Sequence, residues 1–388
     1  MNTWHIVTSE YPPQPGGVSD YTQVIAAGLA AAGDKVHVWC PAAEGTTPIA
    51  AGVDVHRNSG FFSPSDLRQI NKTLDQFTGP RRLLVQWVPH GYGYRSMNLA
   101  FCVWLWSRSL KGDRVELMVH EPCLEFRRNS LRQNAVAFVH RLMTIILLRA
   151  AHRVWVSIPA WEAYWRPYEF GRRKIFSWLP VVSNIPVVDD PAGSREVRLR
   201  HAPTGGSIIG HFGAYDRHNT ELLLATAAPL ISNGSKDVLL LLGRGGEEVR
   251  NILIRKSPEL KNRVHATGTL SAADLSLHLK ACDVMLQPYI DGISSRRCSA
   301  LAALAHGIPV LTTRGALTET LWDSSKAVAL TPVENVSALA DETRRLLSDA
   351  EERNKMSCSA KALYEQRFNP EITISSLRQA FSAGESAT

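Results

Sequence analysis

The chain has 388 residues, 45% hydrophobic and 20% charged, the range of a folded enzyme and not of a disordered chain, with room for two domains. Its six cysteines (Cys40, Cys102, Cys123, Cys282, Cys298 and Cys358) contain no Cys-x-x-Cys pair, so a zinc site or dithiol redox motif is not expected, and several of them, lying in apolar runs, read as small buried residues of a reducing compartment. The net charge is +7 and uneven: Arg81 to Lys174 holds 16 Lys/Arg against 6 Asp/Glu, an excess that asks for an anionic partner. No recognition motif or interleaved aromatic platform accompanies it, so nucleic acid is not expected. An anionic membrane surface or an acidic substrate suits the charge better, and an ordinary solvated basic face fits it as well.

In chain order, Trp4 to Thr8 reads as a first strand. A loop from Glu10 to Val18 carries Gly16 and Gly17. A helix follows from about Ser19 to Ala32, stopped by Gly33, and Lys35 to Cys40 is the second strand. This β-loop-α-β unit starts a parallel doubly wound sheet, although its spacing is neither G-x-G-x-x-G nor a P-loop. Gly16-Gly17 lets the backbone approach a ligand, and a merely flexible loop would look the same. Further strands are expected at Arg82 to Trp87, Val115 to Val119, Arg153 to Ser157 and Val181 to Ile185, with a helix from Met97 to Trp106. The strand ending at Val119 delivers His120 and Glu121, a titratable pair at a sheet edge and so a functional candidate. A satisfied histidine at an element boundary is the plainer alternative. The apolar run Asn134 to Val156 is broken by Arg141, Arg149 and Arg153, so it reads as a long helix and not as a membrane span. The chain opens directly into a strand, with no basic and apolar leader, which suits a cytoplasmic protein.

From Pro186 the periodicity stops, and 186–206 reads as a linker between residues 1–185 and 207–369. A second α/β series follows. Ile208 to Phe212 is a strand, then come Gly213, Asp216, Arg217 and His218, and a helix from Glu221. Val238 to Leu242 is a strand ending in Gly243-Arg244-Gly245-Gly246. Arg263 to Gly268 leads into Thr269 and Leu270, and Ala273 to Ala281 is a helix. After the strand Asp283 to Gln287 comes the turn Asp291-Gly292-Ile293, then Ser294 and Ser295 where a helix would need its cap, with Arg296 and Arg297 in the first turn. Gly307 and Pro309 end that helix. Strand, glycine turn, capped helix and two guanidiniums together predict an anion cradle, and a strand–helix junction with solvent-facing arginines would read alike. A strand at Val310 to Thr313, a helix at Val336 to Leu347 and C-terminal helices from Ala350 complete the chain, with 370–388 expected to return to the first domain.

Glu10-Tyr-Pro-Pro with Gly16-Gly17-Val18, the His120 strand end, Gly243-Arg244-Gly245, Asp283-Val-Met-Leu-Gln-Pro with Asp291-Gly292, and Ala303-Leu-Ala-His-Gly-Ile-Pro309 resemble family 4 glycosyltransferases of the GT-B fold. The resemblance implies two Rossmann-like parallel-sheet domains facing each other across a cleft. It implies transfer of a sugar from a nucleotide diphosphate donor with retention of anomeric configuration, with no cofactor and no metal at the phosphates. No D-x-D pair of the kind that chelates a divalent ion is read, which agrees. On this resemblance the expected catalytic residues are His120, Arg217 and Glu121. The donor would meet Gly16, Gly17, Gly213, Arg217, Arg244, Thr269, Leu270, Asp291, Gly292, Ile293, Ser294, Ser295, Arg296 and Arg297. A UDP-sugar is favoured, a GDP-sugar second.

Two positions depart from the family pattern. The usual arginine after the first strand of the second domain is Ala214, which leaves Arg217 as the nearest cation. The usual paired glutamates fall at Ser294 and Ala302, so ribose recognition is altered and phosphate binding strengthened. The acceptor is expected to be a glycan or a lipid-linked sugar, with the enzyme at the inner face of the cell membrane. A nucleotide-sugar 2-epimerase or a catalytically silent nucleotide-sugar-binding protein are the alternatives.

Overall fold

The computed structural model describes residues 2–45, 49–171, 173–213, 215–231 and 235–385. The first sheet contains β1 (Thr3–Thr8), β2 (Lys35–Trp39), β3 (Val53–His56), β4 (Arg82–Trp87), β5 (Arg114–Val119), β6 (Arg153–Val156) and β7 (Ile175–Trp178), in the order β3-β2-β1-β4-β5-β6-β7. The second contains β8 (Ile208–Phe212), β9 (Val238–Leu242), β10 (Val264–Ala266), β11 (Val284–Gln287), β12 (Val310–Arg314) and β13 (Val328–Pro332), in the order β10-β9-β8-β11-β12-β13. Every strand pairing is parallel. Parallel neighbours need crossovers, the crossovers are helices, and the helices cover both faces. That is why the strands are continuous apolar runs: all five residues of β9, Val-Leu-Leu-Leu-Leu, are buried. In the second sheet Ile209, Leu241, Val284, Leu286 and Leu311 pack with Leu223, Leu253 and Leu339 of the helices.

Two units divide the chain: Met1–Val181 with Pro370–Thr388, and Val182–Asn369. Each sheet has one point where its strand order reverses, between β1 and β4 and between β8 and β11. Doubly wound sheets bind ligands outside the carboxyl ends of their strands at such a point.

The reading of 186–206 as a linker is corrected. Pro191–His201 is a helix with Asp190 as its cap, Asp190 Oδ1 accepting from the Gly193 N–H at 2.9 Å, and it belongs to the second unit. Arg198 on this helix reaches Asp283 at 2.8 Å and the Ala281 carbonyl at 3.1 Å, so the segment is tied to the start of β11. Its Pro and Asp mark a helix start, N1 and cap, where sequence reading took them for breakers. The strand expected at Val181 to Ile185 is likewise absent, and β7 at Ile175–Trp178 ends the first sheet.

The helix Pro370–Glu385 packs on the first unit. Arg82, whose guanidinium lies 3.7 Å over the Trp4 ring, donates to Glu116 at 2.9 Å and to the Leu377 carbonyl at 2.8 Å. Arg378 reaches Asp34 at 3.0 Å. Gly28 is a close-approach glycine: a Cβ there would stand 2.8 Å from the Ile374 side chain.

Candidate functional site

In the second unit the loops after β8, β9 and β10 converge. Gly243 has φ +103°, and a Cβ on it would stand 3.0 Å from the Gly213 carbonyl oxygen, so only glycine suits both the backbone and the space. Gly243 also forms a bridge with Gly268. Arg244 and Thr269 are exposed beside this junction, and Leu270 is half-buried. Asp216 accepts the Asn219 N–H at 3.1 Å near the start of the helix Arg217–Ile231, four residues earlier than expected. Arg217 pairs with Glu221 at 3.1 Å, and its side chain is 84% exposed. Ala214 lies outside the described residues.

The loop after β11 is the most charged of the set. Gly292 adopts φ +82°, and a Cβ there would collide with the Gly315 nitrogen and Thr318 Oγ1. Ile293 is fully buried and donates its N–H to the Thr313 carbonyl at 2.9 Å. Asp291 pairs with both Arg296 and Arg297, and the Arg297 guanidinium lies 4.4 Å over the Tyr289 ring. Ile290 N–H donates to Asn219 Oδ1 at 2.9 Å, which ties this loop to the helix after β8 across the switch point.

The predicted cap is corrected here. The helix spans Cys298–Ala305, Arg297 occupies the cap position without a side-chain cap bond, and both arginines precede the first turn. Ser295 instead donates its N–H and its hydroxyl to Glu319 Oε1, at 2.9 and 2.5 Å. Glu319 Oε2 accepts from Trp322 Nε1 at 2.7 Å. A hydroxyl donating to a carboxylate makes a strong bond, and it fixes Ser295 to Glu319 while the helix itself starts three residues later, at Cys298. Ser294 is fully buried, and its hydroxyl has no protein partner. The cluster is therefore two guanidiniums held by one carboxylate, with about one net positive charge, and not a bare helix end.

In the first unit, β5 delivers His120 at 8% exposure. Its Nε2 lies 2.8 Å from Gln86 Oε1, Tyr21 packs edge-on at 4.9 Å, and its carbonyl accepts from Trp161 Nε1 at 2.9 Å. Burial lowers its pKa from 6.5 to about 4, so the ring is neutral at pH 7. A carbonyl oxygen at Nε2 requires that nitrogen to carry the proton, which leaves Nδ1 as an acceptor. Glu121 is half-exposed and faces His90 at 3.3 Å. The His90 hydrogen bond to that carboxylate raises the His90 pKa.

Gly16 and Gly17 lead into the helix Gly17–Ala31. Glu10 Oε1 accepts from the Val18 and Ser19 N–H groups, each at 3.0 Å. A Cβ on Gly16 would run into that carboxylate, whereas Gly17 borders open space. The first-turn amides are thus already engaged by the protein's own anion.

Sequence reading missed Glu10, Gln86 and Glu319. Gln86 and Gln287 occupy matching places, near the ends of β4 and β11 beside each switch point, and both are fully buried. Gln287 Nε2 donates to the Phe212 carbonyl at 2.9 Å. The available signal was a glutamine inside an otherwise apolar strand, Leu-Leu-Val-Gln and Val-Met-Leu-Gln, since such a residue must find buried partners. Among the described residues no group of three or more His, Cys, Asp or Glu side chains is arranged to hold a metal ion.

Two doubly wound, wholly parallel sheets, one in each unit, define the GT-B class. Residues 206–349 match the domain family described as glycosyl transferases group 1, so the second unit carries a glycosyltransferase domain and the chain is an enzyme of that type. Sequence comparison with curated proteins finds no match. Among solved structures the chain is similar to sucrose-phosphate synthase from Thermosynechococcus elongatus, with TM-score 0.75, 19% identity and 100% of each chain covered. It is similar to Anabaena HepE in complex with UDP and glucose, with TM-score 0.72, 15% identity, and 99% and 100% of the two chains covered. It is also similar to WaaG, a glycosyltransferase involved in lipopolysaccharide biosynthesis, with TM-score 0.68, 15% identity, and 96% and 98% covered.

Proposed function

We propose that this protein is a retaining glycosyltransferase that moves a sugar from a UDP-linked donor to a glycan or lipid-linked acceptor, with no metal ion at the diphosphate. The observation that carries the reading is the Asp291–Arg296–Arg297 cluster in the loop after β11, tied by Ile290 and Asn219 to the helix after β8. When the bond between the anomeric carbon and the diphosphate breaks, negative charge collects on the leaving phosphate. Guanidiniums already fixed by Asp291 meet that charge with little reorganisation. Gly213, Gly243 and Arg244 fit the nucleotide side, and Thr269 and Leu270 fit the base. His120, neutral and fixed by Gln86, suits a hydrogen bond to a sugar hydroxyl through Nδ1, and its low pKa does not suit it to act as an acid at pH 7. The preference for UDP rests on the similarity to HepE, whose solved structures are complexes with UDP and glucose and with UDP-glucose.

The test is a thermal-shift series with UDP, GDP, ADP and TDP sugars in excess chelator, followed by donor turnover with the anomeric product read by NMR. A ligand that binds the folded state must raise the apparent melting temperature. A shift with a UDP-sugar, together with a product of retained configuration, supports the reading. A shift without turnover would leave a silent binding protein. No shift with any nucleotide sugar, or a shift only with added divalent metal, would overturn the proposal.

A further inference from the structure

Part of the basic window of the first unit lies on two neighbouring helices and the loop before the second. The helices Leu99–Leu110 and Leu131–Ala150 pack on each other, and neither contains an acidic residue. On the second helix Leu131 is 90% exposed and Phe138 57%. At 100° per residue Leu131, Phe138, Leu142 and Arg149 fall within about 40° of one line, so they form a single ridge. The preceding loop is strapped along this helix. Arg127 N–H donates to Asn134 Oδ1 at 2.7 Å, Asn134 Nδ2 returns to the Arg127 carbonyl at 2.9 Å, and Gln133 Nε2 reaches the Glu125 carbonyl at 2.9 Å. The strap brings Phe126, 56% exposed, against the helix with the Arg141 guanidinium 4.1 Å over its ring. Arg127, Arg128 and Arg132 are all exposed beside it. Glu125, the acidic residue of the strap, is engaged by the Tyr164 hydroxyl at 2.8 Å.

An apolar ridge rimmed by cations matches a layer with negative headgroups over a hydrocarbon interior. A second copy of the chain would bring arginines against arginines, so it fits poorly. No described helix is long and apolar enough to cross a membrane, so such contact would be at the surface. We infer that the first unit docks on an anionic lipid bilayer through Phe126, Leu131, Phe138 and Leu142, with Arg127, Arg128 and Arg132 at headgroup level. The inference rests on the transferase reading for its purpose, which is to bring the enzyme to a lipid-linked acceptor.

The experiment is co-sedimentation of the full chain with vesicles of phosphatidylglycerol and phosphatidylcholine, and of phosphatidylcholine alone, at low and high salt. Binding is expected only with the anionic vesicles, and high salt releases it. The triple variant Arg127→Gln, Arg128→Gln, Arg132→Gln weakens it roughly a hundredfold, at about fivefold per arginine. The pair Leu131→Ser, Phe138→Ser weakens it at least about tenfold, and Leu199→Ser in the second unit leaves it unchanged. Each variant keeps the parent's UDP-sugar thermal shift, so loss of docking is read separately from loss of donor binding. If the parent ignores anionic vesicles while that shift persists, the docking surface is wrong and the transferase reading stands. Variants that bind vesicles as well as the parent would also overturn it. So would self-association that Leu131→Ser, Phe138→Ser abolishes in a parent that ignores vesicles, since a second copy would then cover the ridge.

Discussion

The two sheets share a topology, yet they finish their strand ends in opposite ways. At the end of β5 the first unit builds a neutral, buried network of His120, Gln86 and Tyr21. At the end of β11 the second unit builds a charged and partly exposed cluster of Asp291, Arg296 and Arg297. Burial explains the division. A group taken fully out of water persists most readily uncharged, so His120 is held neutral, whereas guanidiniums stay charged with Asp291 beside them and water within reach. One end is suited to hydrogen bonding with a neutral sugar, the other to opposing phosphate charge.

The largest effect should come from removing the charged end. Arg296→Gln with Arg297→Gln is expected to lower turnover at least about a hundredfold and to abolish the thermal shift with UDP, with the melting temperature of the free protein nearly kept. Unchanged donor affinity would refute the role given to this loop. Next is an attempt to make the neutral end charged. Gln86→Glu places a carboxylate 2.8 Å from His120 Nε2 in place of an amide, and an adjacent anion raises the imidazole pKa above its present value near 4. The acid limb of the pH–rate profile should move upward and turnover at pH 7 should fall about tenfold, an acid/base-sized effect. Gln86→Leu, which cannot charge the ring, should lower turnover without that movement of the limb.

A smaller effect concerns stability. His5, His37 and His56 sit together in the first unit, with His5 stacked on His37 at 5.2 Å and His37 Nδ1 3.3 Å from His56 Nε2. Burial first, and the neighbouring histidines next, take the His5 pKa from 6.5 to about 3. The folded state resists a proton that the unfolded chain accepts. Stability is therefore full above about pH 6.5 and is lost as the pH falls from there towards about 3. Thermal melts from pH 7.5 to 4.5 should show this decline, to which His120, His201 and His211, each lowered to about 4 by burial, also contribute, and His5→Gln should make it shallower. A decline that His5→Gln leaves equally steep would place the acid sensitivity elsewhere. The smallest effect expected is Gly16→Ala, which displaces Glu10 from the helix start and costs about 1–2 kcal/mol, a few degrees in a melt.

Much of the architecture was legible. The apolar runs of β1, β4, β5, β8, β9 and β11 show in the sequence because strands covered on both faces cannot hide their composition. Other elements were overlooked although they carry ordinary signals. Ser63-Pro64-Ser65-Asp66 opens the helix Pro64–Leu74 with a capping box and a proline at its start, and Asp190-Pro191 opens another. The site was legible as residue types and only in part as geometry. Arg296 and Arg297 stand out by number and place, and Asp291 as a turn and donor-side residue, but its pairing with both arginines is not legible, and Glu319 lies 24 residues beyond the serine it engages.

The sequence by itself determined the two parallel α/β series, the glycines at Gly243 and Gly292, and the arginine pair, because backbone conformation and strand burial act over a few neighbouring residues. Only the tertiary structure decided which donors meet which acceptors. Glu10 closes a helix end, Glu319 holds Ser295, and Gln86 sets the proton on His120. Each of these bonds joins residues distant along the chain or on separate elements, and folding, not local propensity, brings them within hydrogen-bond reach.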